Sequence, residues 1–216
     1  RIIGRMRTLR LLGVLWISAA CGGGSGGDGA MPVPGFGVLG GQRVLVLPVH
    51  YVQPVDGGWV GGAASADQAL RHANAEIAFA LGERKSTTQW VVAEEIAAAV
   101  RRQPAMGVHI YGLSADPVRR SALGRADRVR DPLYGEIRRL AALMDARYAV
   151  FPVELWYESA SAGAGGEGHA ALWTLLLDVR TGFVLWSGMV RGAPGPASSE
   201  ASVARAAEAL ARQVTP

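Results

Sequence analysis

The stretch that most constrains the fold is Ala170–Arg191, AALWTLLLDVRTGFVLWSGMVR. Two apolar, β-rich runs, Leu172–Asp178 and Phe183–Val190, flank the tight joint Asp-Val-Arg-Thr-Gly. Asp178 can accept hydrogen bonds from nearby backbone amides, and Gly182 can take a positive φ, so the joint predicts a four-residue hairpin loop. A lone hairpin is marginal in water, so this one needs a larger sheet. The motif Asp-x-x-Thr-Gly-x-x-x-Trp also occurs in β-propeller blades, but it appears once here and a propeller needs several copies.

Partner strands are on the N-terminal side. Arg43–Val49 (RVLVLPV) is a continuous apolar run, as in a strand covered on both faces, and Pro48 predicts incomplete pairing near its end. Gln89–Val92 and, more weakly, Val108–Tyr111 read as short strands. Arg147–Trp156 reads as a longer one, with Pro152 marking a bulge or an edge. Helices alternate with them. Ser65-x-x-Gln68 is a capping-box pattern ahead of Leu70, Ala73, Ile77 and Leu81 at helical spacing. Glu94–Arg102 follows and stops at Pro104. Asp131-Pro132 places an N-cap and a first-turn proline before Leu133, Ile137, Leu140, Ala141 and Met144. A last helix begins at Ser198 or Ser199 and carries Val203, Ala206, Ala207, Leu210 and Val214 on one face. His50–Ala64, Gly112–Arg130 and Ser159–Gly168 read as loops. Early βα alternation ending in antiparallel strands predicts an α+β fold, a mixed sheet of about five to six strands with helices packed on it.

The N-terminus reads differently. Positive Arg5–Arg10 precedes the ten-residue apolar run Leu11–Ala20, which is too short to span a bilayer and ends in small residues. Cys21, the one cysteine of the chain, comes next, so no intrachain disulfide forms. Residues 1–20 are therefore expected to be a signal peptide, with Met6 as the true start. Residues 21–41, which include GGGSGGDG, are expected to be an acylated cysteine and a flexible tether. Residues 42–216 are expected to form the single globular α+β domain. Lipid on Cys21 would hold the protein to a membrane surface without threading it through.

Charge is local. Of 22 basic residues four are Arg1, Arg5, Arg7 and Arg10, which leaves 18 against 18 acids. The pI near 9.7 is thus no nucleic-acid signature. Gly112–Arg130 holds Arg119, Arg120, Arg125, Arg128 and Arg130 against Asp116 and Asp127. It reads as a solvated loop or as a docking face for an acidic partner or lipid headgroups. His50, His72, His109 and His169 show no metal spacing. Gly57–Gly62 is glycine-rich ahead of a helix but lacks the ordered glycines and lysine of a phosphate cradle. Glu94/Glu95 and Glu154/Glu158 are the acid pairs, the second on one face of a strand; both read as solvated charge. No nucleophile elbow is present. The expectation is no enzyme and no cofactor.

The order of the pieces resembles a known group. A lipobox-like leader, an apolar strand ending in proline, helix–strand–helix, Met144-Asp145-Ala146-Arg147-Tyr148-Ala149-Val150, and Leu177-Asp178-Val179-Arg180-Thr181-Gly182 with Leu185-Trp186 are similar to periplasmic lipoproteins. The group is that of the curli-secretion (CsgG-like) and penicillin-binding-protein-activator (LpoB-like) proteins, and the N-terminal domain of the Tol translocation protein is similar to them in fold. The resemblance spans Arg43–Gln213. It implies a non-enzymatic envelope domain that binds proteins or assembles into rings, anchored at the outer membrane and facing the periplasm, with homo-oligomers allowed. The paired amphipathic hairpins of a pore are missing from the sequence. The alternative is a small-ligand or glycan binder using Trp59, Trp156 and Trp173; a hydrolase ranks last.

Overall fold

The computed structural model describes residues 36–53, 66–121, 123–159, 167–196 and 200–215. Cys21, Trp59, Gly57–Gly62, the Ser65 cap, the Ser198/Ser199 cap and Leu11–Ala20 fall outside the described residues. A 3-10 turn, Phe36–Leu39, leads into β1 (Arg43–Val46) and β2 (Tyr51–Gln53), then α1 (Ala66–Gly82), β3 (Gln89–Val91) and α2 (Ala93–Arg102). After two further 3-10 turns come α3 (Asp116–Ser121), α4 (Leu133–Met144), β4 (Tyr148–Ser159), β5 (Glu167–Asp178), β6 (Phe183–Arg191), β7 (Gly195–Pro196) and α5 (Glu200–Val214).

All strands join one mixed sheet in the order β3-β1-β4-β5-β6. β1 runs parallel to both β3 and β4, while β4–β5 and β5–β6 are antiparallel. β2 continues the lane of β1 along β4, and β7 continues the lane of β6 along β5. The interruption between β1 and β2 coincides with Pro48, which has no amide hydrogen to donate to the ladder. Val44–Leu47 and the Leu172–Val190 hairpin therefore share a sheet, and the predicted loop is the four-residue turn Val179–Gly182, with Gly182 at φ +75°. Asp178 Oδ1 accepts from the Arg180 amide at 2.9 Å, the role expected of an aspartate there.

Helices cover both faces. Leu45, Ala149, Phe151, Leu175 and Leu177 bury against α2, α3 and α4. Val44, Val150, Leu155, Leu172 and Leu176 bury against α1 and α5. A bulge between Pro152 and Glu154 shifts the phase of β4. Before it odd-numbered residues face α2–α4; beyond it Leu155 and Tyr157 face α1 and α5, which turns Glu154, Trp156 and Glu158 to the α2–α4 side. The bulge expected at Pro152 is there, within a central strand and not at an edge.

Four expectations need correction. Val108–Tyr111 is not a strand. Val108 and Ile110 are buried, the alternation that the sequence registers, but they bury in the helical layer, and the backbone closes a 3-10 turn from the Gly112 amide to the His109 carbonyl at 2.9 Å. His50–Ala64, expected as a loop, contributes β2 at Tyr51–Gln53. Gly112–Arg130 contains α3, whose Asp116-Pro117 start repeats the signal at Asp131-Pro132 and whose Val118 is buried. α4 itself begins at Leu133, with Pro132 as the N-cap residue and Asp131 Oδ1 accepting from the Gly135 amide at 2.9 Å.

Candidate functional site

The sheet has two ends. β1, β3 and β4 start, and the β5–β6 turn closes, at what is called the hairpin end. The other, the far end, carries a half-exposed patch on the α2–α4 side just beyond the bulge. Register places Tyr51 and Trp173 on either side of Glu154, and Trp156 opposite Ala171, so Trp156 and Trp173 are diagonal neighbours on adjacent strands. The indole N–H of Trp156 is buried without an acceptor among the described residues.

Charges in this patch are engaged with one another. Glu154 is not the solvated charge expected: it is 3% exposed, because the bulge turns it under α3, and its Oε1 accepts from Arg119 Nε at 2.8 Å and Nη2 at 2.7 Å. The Arg119 guanidinium also lies 4.6 Å over the Tyr51 ring. Tyr51 donates its hydroxyl to Asp116 Oδ1 at 2.7 Å. Partial burial, then that bond to a carboxylate, pushes the Tyr51 phenol up to about 12. Asp116 is held low by the same hydroxyl and by Arg120, its 3.2 Å partner one helical turn on. At the strand tips Glu158 Oε2 meets His169 Nε2 at 2.7 Å and Arg191 Nε at 3.0 Å. Burial raises the Glu158 carboxyl, but Arg191 and His169 together outweigh it and hold it below its ordinary value. Asp116 and Glu158 are thus ionised at neutral pH. The patch presents two indoles, a phenol and paired charges as a platform for contact, with Met189 beside it opposite Trp173.

Sequence reasoning grouped five arginines, and the structure divides them. Arg119 and Arg120 belong to α3 at the far end and are taken up by Glu154 and Asp116. Arg125, Arg128 and Arg130 belong to a strap that pairs with the start of β6 through the Ala126 amide to Val184 and the Val129 amide to Gly182, each at 2.9 Å. Arg128 bonds the Thr181 carbonyl at 2.8 Å and lies 5.1 Å over the Phe183 ring. Arg125 and Arg130 are exposed.

The histidines serve local structure. His50 Nδ1 is 2.8 Å from the Pro48 carbonyl, and its Nε2 accepts from the Leu113 amide at 3.2 Å; burial pulls the ring below its ordinary pKa and fixes it as neutral. It lines a crevice of about 760 Å³ between α1 and α2 with Leu70, Arg71, Asn74, Glu94 and Tyr111. The crevice lies at the carboxyl ends of parallel β1 and β3, whose following helices pack on opposite faces. No sequence motif marked it, because its walls belong to elements that only the sheet brings together. His72 lies 3.9 Å from Glu76, His109 packs against Tyr111, and His169 is the partner of Glu158. Among the described residues no three His, Cys, Asp or Glu side chains converge as a metal site.

No family model matches the chain, and no curated protein does. Solved structures resemble it at low identity. The LpoB C-terminal domain from Salmonella enterica is 19% identical over 72% of this chain and 84% of its own, with a TM-score of 0.36. Lipoprotein GNA1162 from Neisseria meningitidis is 14% identical over 80% and 97%, with a TM-score of 0.39. The PelC dodecamer from Paraburkholderia phytofirmans is 14% identical over 82% and 88%, with a TM-score of 0.33. Likenesses this distant leave the function of the chain to be argued from its own residues. The curli-secretion resemblance rests on sequence motifs alone.

Proposed function

We propose that the protein is a non-catalytic interaction module of the bacterial cell envelope, held by lipid on Cys21 and facing the periplasm from the outer membrane. The observation that carries this reading is the order of the leader: positive, apolar, small, then the one cysteine, then a glycine-rich stretch before the folded body. Gly22 in place of aspartate supports the outer membrane. The far-end platform suits a protein partner, because its aromatic groups are half-exposed while Glu154 and Glu158 are already committed to Arg119 and Arg191. Self-association belongs to the same reading. Palmitate labelling of the full chain in cells tests the anchor: label present in the wild type and absent in Cys21→Ser supports it, and label retained in the variant overturns it. Light-scattering mass of the purified protein separates an assembling module from a monomeric one.

A second reading, small-ligand or glycan binding, is favoured by one observation: Trp156 and Trp173 lie diagonally on one face, with the Trp156 N–H unpartnered among the described residues. A rise in melting temperature with added oligosaccharide, lost in Trp173→Ala, would support it.

A further inference from the structure

We infer that the hairpin end of the body docks onto an anionic phospholipid surface, so that the protein sits on its membrane with the far-end platform pointing away. The inference refines the envelope reading by giving the body an orientation. It starts from where charges fall in the fold. At the hairpin end Arg43 opens β1, Arg147 precedes β4, and Arg180 occupies the β5–β6 turn. The strap beside that turn adds Arg125, Arg128 and Arg130, and the turn before β3 adds Arg84 and Lys85. The acids of the same end are Glu83, Asp127, Asp131, Asp145 and Asp178.

Several of those acids are occupied. Asp178 is 8% exposed and takes Arg147 Nη2 at 3.3 Å and the Arg180 amide. Asp127 accepts from the Gly124 amide at 2.8 Å, and Asp131 from the Gly135 amide. Arg125, Arg130 and Arg180, by contrast, are exposed, and no carboxylate engages them among the described residues. The far end is opposite in sign. Asp67, Glu94, Glu95, Asp116, Glu154, Glu158 and Glu200 there outnumber Arg71, Arg119, Arg120, Arg191 and Arg205. A body whose charges nearly balance is thus positive at one end and negative at the other, and such a charge distribution orients a protein at a charged surface.

The chain also reaches the sheet at the positive end. Gly41 and the residues beside it lead into β1 there, tied to the turn before β3 by the Gly41 amide to Thr87 Oγ1 at 3.2 Å and the Gln89 amide to the Gln42 carbonyl at 2.9 Å. Cys21 precedes Phe36 by 15 positions. Even fully extended, that length spans at most about 50 Å.

The test uses the full chain carrying Cys21→Ser, so that acylation plays no part and failure of the anchor reading stays separate. Co-sedimentation is compared on vesicles of phosphatidylcholine alone and with 30% phosphatidylglycerol (about one lipid in three anionic). Arg125→Gln/Arg130→Gln/Arg180→Gln is expected to weaken binding to the anionic vesicles about tenfold or more at low salt, since each arginine near such a surface contributes appreciably. Arg71→Gln/Arg120→Gln at the far end is expected to leave binding within about twofold, although the leader arginines remain in every variant. Equal binding of triple variant and parent overturns the inference. So does an equal loss in the far-end variant, and so does equal binding to the two vesicle types. That last result would assign the arginines to an acidic protein partner instead.

Discussion

Arg119 reaches from α3 to β4 and places two nitrogens, at 2.8 and 2.7 Å, on one oxygen of Glu154, a carboxylate only 3% exposed. Removing the arginine strands that charge. Arg119→Met is expected to destabilise the fold by about 2–4 kcal/mol, toward the lower figure because Arg119 is itself partly open to water. Arg119→Met/Glu154→Gln is expected to recover most of the loss. Urea unfolding of the two variants and the parent checks both statements.

How far the fold was legible follows from this neighbourhood. The hairpin, the β1 run, Pro152 as a bulge, and the stripes of α1, α4 and α5 could be read because each is a local pattern: turn chemistry, a continuous apolar run, or a period of 3.6. α3 is not legible, since six residues give no period; its one signal is Asp116-Pro117, the same dipeptide that marks α4. Glu154 is legible as a charge but not as a buried one, because its burial requires the bulge to turn it toward Arg119, 35 positions away. Grouping Arg119 with Arg130 follows the sequence; in the fold α3 carries Arg119 to Glu154 and Tyr51, while the strap carries Arg130 to the start of β6. The crevice around His50 had no local signal at all.

Acid should weaken the far end. The folded-state pKa of Glu158 lies below its ordinary 4.5, so its contribution is present above that pH and fades as pH falls through the lowered value. His50 acts in the same direction, because its lowered pKa makes protonation below about 6.5 favour unfolding. The gap in melting temperature between wild type and Glu158→Gln is expected to shrink between pH 6 and 3. The His50 ring resonances are expected to titrate at lower pH than those of an exposed imidazole.

At the alkaline side the sign reverses. Tyr51 and Tyr157 are each raised to about 12, chiefly by burial. The stability tied to them is intact below the ordinary value of 10.0 and is lost as pH climbs through 12. Ultraviolet titration is expected to show tyrosines that ionise late, and Tyr51→Phe to remove one of them.

Two glycines should be intolerant for different reasons. A Cβ on Gly192 would lie 2.7 Å from the Ala206 backbone nitrogen, so β6 and α5 could not keep their approach. Gly192→Ala is expected to cost about 1–3 kcal/mol through that overpacking. Gly182 has φ +75°, and a Cβ there would also meet the Tyr134 ring at 2.9 Å; Gly182→Ala is expected to cost a similar amount. Gly107 also has a positive φ, but nothing lies near its missing Cβ, so Gly107→Ala should be the mildest of the three by thermal melting.

The two helical layers should respond to cavities alike, because each buries one face of the same sheet. Leu140 on α4 and Leu210 on α5 are both fully buried, in the separate clusters on either side. Leu140→Ala and Leu210→Ala are each expected to cost about 2–5 kcal/mol, the transfer of the lost atoms plus the cavity left behind. Phe79 on α1 is 65% exposed, and Phe79→Ala is expected to stay within about 0.5 kcal/mol. Were the layers independent, Leu210→Ala would melt α1 and α5 early and leave the α2–α4 side folded. A shared sheet predicts one transition instead, with near- and far-ultraviolet circular dichroism coinciding in both leucine variants.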